Sequence, residues 1–248
     1  MAQVLVTGGA GFIGSHLVDA LLKLGHSVRV IDSLVPQVHG SVTRPVNLST
    51  DVEFIYADIR DLSQLKQALA GIEVIFHLAS EVGVGQSMYE ITRYVGSNTS
   101  ATAILLETLI NTNRRVEKLI IASSMSVYGE GAYRCVEHGL VYPALRTNAQ
   151  LIERDWEMHC PICAQHVSAL PTSETKPLQP TSIYAISKMD QELMSLSIGR
   201  AHNLPTVALR YFNVYGPRQS LSNPYTGLAA IFGSRLLNSR PPLIFEDG

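Results

Sequence analysis

Tyr184 and Lys188 stand four residues apart in a stretch of helical periodicity, so their side chains share one face of a helix. A free phenol gives up its proton only at about pH 10, too high for a base near neutrality. A nearby ammonium favours the phenolate, and Lys188 is therefore expected to bring Tyr184 into range as a general acid and base. Upstream, the apolar run 119–122 ends on Ser123 and Ser124, which sets a hydroxyl at a strand end. A Tyr/Lys pair at this spacing is usually surface packing. Its weight here comes from a glycine-rich turn earlier in the chain.

That turn is Gly8, Gly11 and Gly14, three glycines spaced three apart after the β-branched run 4–7. A helical pattern begins at once through Phe12 and Ile13, with Leu17, Ala20, Leu21 and Leu24 on one face and Gly25 as the stop. A second strand-like run follows and ends on Asp32, 18 residues past Gly14. Strand, tight turn, helix, strand and acid are the parts of a dinucleotide site. The turn lets backbone approach a pyrophosphate at a helix N-terminus, and the carboxylate takes ribose hydroxyls. A carboxylate there repels a 2′-phosphate, so NAD is expected rather than NADP.

Strand and helix patterns go on alternating, the signature of an α/β fold: a doubly wound parallel sheet, or Rossmann fold. Residues 38–51 read as a polar loop and 52–56 as a strand. Asp58 and Ile59 follow that strand on the adenine side, where Asp58 is a candidate for the adenine amino group or else a plain turn aspartate. Asp61 and Gln64 suggest a capping box opening a helix that runs through Leu69. Residues 74–80 form a buried strand whose end, at Leu78 and Ala79, passes over the cofactor; its His77 reads as a satisfied core residue. The glycine-containing loop after it, through Ser87, is placed to touch substrate. A long helix is expected over 94–111 with Asn98 early on its course, another from about 182 to 200, a strand over 206–211, a helix over 225–238 and one arm of a hairpin over 243–248. The expected organisation is a nucleotide-binding domain over 1–129 and 181–211, an insertion over 130–180, and a partial substrate lobe over 212–248.

A chain of 248 residues at 46% hydrophobic and 16% charged can bury a substantial core, which excludes disorder. A net charge of −2 without a basic block gives no reason to expect nucleic acid or an anionic membrane surface. No apolar run reaches the ~20 residues of a membrane span, and no charged leader precedes the first strand. Three cysteines suggest a reducing, cytoplasmic setting rather than a disulfide framework.

Taken together, 7–14, 123–129, 184–188 and 210–217 (Arg-Tyr-Phe-Asn-Val-Tyr-Gly-Pro) resemble the extended short-chain dehydrogenase/reductases. Within them the match is to NAD-dependent nucleoside-diphosphate-sugar epimerases. The resemblance implies that Tyr184 is the acid/base, that Lys188 holds the nicotinamide ribose, that Ser124 hydrogen-bonds the reacting hydroxyl and that Asn98 supports the site. It also implies that Phe212 lies near the nicotinamide and that Asn213 contacts the diphosphate of a dTDP- or UDP-linked sugar, in an enzyme expected to be a homodimer. Hydride would leave C4 of the sugar, the 4-keto sugar would turn over, and hydride would return to its other face. Related dehydratases carry an Asp-Glu pair where this chain has Met125 and Ser126, which lack the acid and base that elimination needs. A dehydratase or reductase of the same superfamily, or a non-catalytic nucleotide-binding relative, remains the alternative. The resemblance further implies a segment after Gly248 that completes the substrate lobe, so turnover should suffer more than nucleotide binding if the chain is a fragment.

The insertion holds all three cysteines. Cys135-x-x-His138 and Cys160-x-x-Cys163 are two ligand pairs separated by 21 residues, a zinc-ribbon-like spacing. Four N/S ligands would make a structural zinc site; buried thiols beside a surface histidine are the alternative, with His159 and His166 as weaker ligands. With Trp156 and Pro171-Thr172-Ser173-Glu174, the insertion is similar to that of bacterial dTDP-L-rhamnose 4-epimerase-like proteins.

Overall fold

A computed structural model describes residues 1–112, 116–220 and 227–245. In chain order the elements begin β1 (Gln3–Thr7), α1 (Phe12–Lys23), β2 (Ser27–Asp32), α2 (Pro36–His39), β3 (Glu53–Tyr56), α3 (Leu62–Ala68), β4 (Val74–His77), α4 (Val84–Ser87) and α5 (Ile91–Tyr94). A π-helical segment Val95–Ser100 continues into α6 (Ala101–Asn111), then β5 (Lys118–Ser124) and a 3-10 turn Met125–Tyr128. The insertion contributes β6 (Ala132–Cys135), β7 (Gly139–Val141), α7 (Asn148–Ile152) and β8 (Ser168–Leu170). The chain then runs through α8 (Ile183–Ala201), β9 (Thr206–Tyr211) and α9 (Leu228–Leu237).

Six strands form one parallel sheet in the order β3-β2-β1-β4-β5-β9, the doubly wound arrangement expected. Alternation along β1 sends Leu5 to one face and Val4 and Val6 to the other, so the sheet has a core on each side. Leu65, Leu105 and Leu109 of α3 and α6 cover one face, with Met194 and Ile198 of α8; Val18 and Leu21 of α1 cover the other. The winding reverses between β1 and β4, and their carboxyl ends open the crevice where ligands of such sheets bind.

Local chemistry explains most boundaries. Asp61 caps α3 by accepting from the amides of Ser63 (2.9 Å) and Gln64 (3.2 Å), as its position suggested. Helix α1 has no side-chain cap, which leaves its first amides free for an anion. The expected helix over 94–111 is not uniform: its early part is π-helical, and the wider turn carries the buried Asn98. A four-residue helix, α2, interrupts the start of the loop expected over 38–51. Residues 243–245 are in no strand, and the rest of the expected hairpin arm, 246–248, lies outside the described residues, as do 225 and 226 at the start of the expected last helix. Weak periodicity hid a second sheet in the insertion, antiparallel and ordered β7-β6-β8.

Candidate active site

A cavity of about 850 Å³ opens at the carboxyl ends of β1, β2, β4 and β5. Its floor at one end is the glycine turn. Gly8 has φ +70 and its missing Cβ would meet the Ala79 amide at 2.8 Å, while a Cβ on Gly14 would collide with the Gly8 carbonyl. Only glycine leaves this cradle open to a ligand's backbone-close approach. Phe12 and Ile13 line the same end, and Leu78 and Ala79 line the wall above it.

Asp32, nearly buried, accepts from the amides of Ala10 (3.1 Å) and Leu34 (2.9 Å). Burial raises its pKa, opposed by the Leu34 amide and by His39 nearby. A carboxylate has about four lone-pair sites, so two amides leave it able to accept ribose hydroxyls. Asp58 and Ile59 are also on the cavity wall, but the Asp58 carboxylate is already engaged by the Arg60 guanidinium, at 2.6 and 2.9 Å, which lowers its pKa. Asp58 therefore serves its own turn first.

At the other end of the cavity stand Ser124, Tyr184, Lys188, Phe212 and Asn213. Ser182 caps α8 through the Ala185 amide (3.1 Å), which sets Tyr184 in the first turn with its phenol near Ser124. Tyr94 meets the Tyr184 ring edge-on, with centroids 6.4 Å apart. The Ser124 hydroxyl also accepts from the Ser126 hydroxyl (2.8 Å), so the residue at the dehydratases' acidic position is spent on orienting Ser124. Lys188 is buried and donates to the Ala122 carbonyl at 2.7 Å.

The electrostatics correct one expectation. Burial raises the Tyr184 pKa, the nearby Ser124 hydroxyl opposes that rise, and Lys188 is not among the groups that set it. Burial also pushes the Lys188 ammonium down to about 7. Four residues on one helix face bring the two side chains together, but both are desolvated and the lysine is turned onto a carbonyl of β5. The structure thus leaves the phenol protonated in the ligand-free site.

Two other expected site residues are not on the cavity wall. Ser87 is fully buried; its hydroxyl donates to the Val84 carbonyl (2.6 Å) and accepts the Tyr184 amide (3.0 Å), so it seats the start of α8 rather than facing a substrate. Asn98, also fully buried, accepts from the Glu81 amide (2.7 Å) and donates to the Glu81 carbonyl (3.1 Å) and the Ser187 hydroxyl (2.9 Å). It pins the loop after β4 to α8. His77 is a core residue held between the Thr7 and Thr102 hydroxyls, at 2.8 and 2.9 Å, and burial lowers its pKa to about 3.

Sequence reasoning missed a buried ion pair behind the site. Glu192 of α8 takes the Arg210 guanidinium at 2.6 Å and the Ser123 hydroxyl at 2.6 Å, while Arg210 lies over the Tyr128 ring at 4.7 Å. A charge pair 18 residues apart on a helix and a strand leaves no periodic signal. Lys176, 2% exposed, was missed for the same reason; it donates to the Tyr128 carbonyl (2.7 Å) and Gln179 (3.0 Å). In the insertion, the ligand atoms of Cys135, His138, Cys160 and Cys163 all lie within 4.8 Å of one another. His159 and His166 stand apart from them, ring against ring at 4.7 Å.

Comparison with known proteins agrees with this arrangement. Residues 4–148 and 163–248 match the model of the "NAD dependent epimerase/dehydratase family". The chain is 38% identical to dTDP-L-rhamnose 4-epimerase of Burkholderia thailandensis, over 99% of this chain and 67% of that protein. Among solved structures it resembles UDP-N-acetylglucosamine 4-epimerase from Methanobrevibacter ruminantium, in complex with UDP-N-acetylmuramic acid, with a TM-score of 0.75 and 33% identity over 100% of this chain and 66% of that one. It also resembles UDP-glucuronic acid 4-epimerase from Bacillus cereus, in complex with UDP-glucuronic acid and NAD, with a TM-score of 0.73 and 30% identity over 99% and 66%. The chain spans about two thirds of the length of these relatives.

Proposed function

The chain belongs to the NAD dependent epimerase/dehydratase family, and on that premise we propose that it inverts C4 of a nucleoside-diphosphate sugar with NAD held in the cavity at the carboxyl ends of the sheet. One observation carries the reading: Ser124, Tyr184 and Lys188 line the same cavity as the glycine cradle.

The residues that would hold the cofactor are the cradle of Gly8, Gly11 and Gly14 with the free amides of α1, Asp32 for the ribose hydroxyls, and Lys188 and Phe212 at the far end. Bound NAD supplies the acceptor and then the donor of hydride, and with no net redox it stays on the protein. The chain's own task is proton transfer and orientation. Ser124 would hold the C4 hydroxyl of the sugar, and Tyr184, once deprotonated in the loaded site, would take its proton as C4 is oxidised and return it when C4 is reduced from the other face. Two features favour the phenolate against burial: the nearby Ser124 hydroxyl, and a place in the first turn of α8, where the helix dipole is positive. Asn213 is assigned to the sugar diphosphate. Met125 and Ser126 offer no acid and base for eliminating water, which favours epimerisation over dehydration.

The substrate is assigned as a dTDP- or UDP-linked sugar, the two nucleotides carried by the similar epimerases named above. A homodimer is supported by the exposed Ile186 and Leu193, seven residues apart on α8. A cytoplasmic setting is supported by three free cysteines. The cysteines and histidine of the insertion stand outside this chemistry, and a structural zinc ion there is a separate proposal.

The test is product analysis by NMR of dTDP- and UDP-hexoses incubated with the full-length protein and no added reduced nucleotide. A C4 epimer appearing toward equilibrium is the expected result. A 4-keto-6-deoxy product would make the chain a dehydratase, and NAD binding without any product would make it a non-catalytic relative.

A further inference from the structure

The structure assigns a zinc ion to Cys135, His138, Cys160 and Cys163, as a four-ligand site that fastens the insertion. Cys135 Sγ lies 3.5 Å from His138 Nδ1 and 3.7 Å from Cys163 Sγ, and Cys160 Sγ lies 3.7 Å from the same Nδ1. Tetrahedral zinc, with Zn–S of about 2.3 Å and Zn–N of about 2.0–2.1 Å, requires edges of about 3.8 Å between sulfurs and about 3.6 Å between sulfur and nitrogen. Three of the six pairs stand at those separations, and all four atoms lie within 4.8 Å of one another. A sulfur–sulfur distance of 3.7 Å is far beyond the ~2.05 Å of a disulfide.

Two reverse turns deliver the ligands. The β6–β7 hairpin sets Cys135 opposite Gly139, whose φ of +69 closes the turn that carries His138. The second turn is closed by the Ala164 amide on the Cys160 carbonyl (2.9 Å) and the Cys160 amide on the Gln165 carbonyl (2.8 Å), with Ala164 at φ +59.

The insertion has little else to hold it. Its buried cluster is Cys135, Val141, Met158, Cys160 and Val167, so two of its five members are ligands. Its strands are four, three and three residues long, too short to stand without a staple. Ligand binding energy would then be folding energy for this segment. Residues 149–162, including Cys160, fall outside the part of the chain that matches the family, while Cys135, His138 and Cys163 fall inside it. With all four positions taken by protein, no coordination site is left for water, so the ion is structural. It fixes the frame from which Thr172 reaches the Ala132 amide (3.1 Å) and Lys176 reaches the Tyr128 carbonyl, in the turn that follows Ser124.

The experiment is elemental analysis of the reduced full chain, purified without chelator or added metal, followed by zinc titration of the stripped protein against a chromophoric chelator. About one zinc per chain is expected. His138→Ala should weaken zinc at least tenfold, His138→Cys should restore it, and His166→Ala should keep one equivalent. His138 sits on an exposed hairpin, so loss of zinc there with the helical circular dichroism of the six-stranded domain retained separates metal binding from global unfolding. Cobalt(II) in place of zinc should give the visible absorption of tetrahedral thiolate coordination. Stripped, reduced protein that takes up no zinc, or zinc binding indifferent to His138→Ala, would overturn the assignment.

Discussion

Replacing Arg210 with methionine removes the cation that neutralises Glu192 behind the site. The pair is well enclosed: the guanidinium is 19% exposed, the carboxylate 3%, and the contact is 2.6 Å. Removing one partner of such a pair leaves a desolvated charge and costs ~3–5 kcal/mol. Loss of the Tyr128 stacking at 4.7 Å adds about 1 kcal/mol. Against this, Glu192 keeps the Ser123 hydroxyl at 2.6 Å, which holds the net effect toward the lower end. The assay is urea unfolding of the full chain, where a loss of ~3–4 kcal/mol moves the midpoint down by on the order of 1 M. The double variant Glu192→Gln with Arg210→Met removes both charges and keeps a side chain able to meet Ser123. It should recover at least about 1 kcal/mol relative to Arg210→Met alone, because residues in direct contact couple. An Arg210→Met chain losing less than about 1 kcal/mol, or a double variant as unstable as the summed single losses, would refute the reasoning.

Other outcomes follow from the same structure. Lys188 has a folded pKa near 7 against an ordinary 10.5, so below pH 7 folding keeps a buried ammonium charged at a cost, and that cost fades as pH rises from 7 to 10.5. Lys188→Met should therefore gain thermal stability relative to the parent at pH 6 and lose that advantage by pH 10; a difference independent of pH would contradict the shift. Gly14→Ala drives a methyl into the Gly8 carbonyl and should cut NAD affinity by at least tenfold in titration calorimetry, whereas unchanged binding would remove the turn from the cofactor site. Asn98→Ala leaves both polar groups of the Glu81 backbone without their partner and should cost about 2–3 kcal/mol in unfolding, with turnover reduced more than NAD affinity.

The fold was legible because its signals are local. The glycine turn, the stop at Gly25, the Asp61 cap and the apolar strand runs each act within a few residues, and the parallel sheet follows from their alternation. Composition also placed His77 in the core, where two threonine hydroxyls satisfy it. What stayed hidden depends on burial and on distant partners. Spacing put Tyr184 and Lys188 on one face, but spacing does not report desolvation, and desolvation, not the lysine, dominates the phenol's shift. Ser87 sits in a loop expected to touch substrate, yet it is enclosed and receives the Tyr184 amide, 97 residues away. Lys176 and the Glu192–Arg210 pair carry no periodic mark at all. The insertion's strands were invisible because three or four residues are too few to show an alternation, whereas its ligand spacing was plain.

Proton transfer by the Tyr184 phenol is the claim on which the functional reading turns. Its most direct test is the rate of C4 epimer formation by Tyr184→Phe, measured by NMR on the sugar nucleotide the parent protein turns over, with NAD binding followed in the same samples. The account predicts a fall of about 10²–10⁴-fold with NAD affinity retained, the size of effect expected for loss of a general acid and base. Epimerisation at the parental rate in that variant would contradict it.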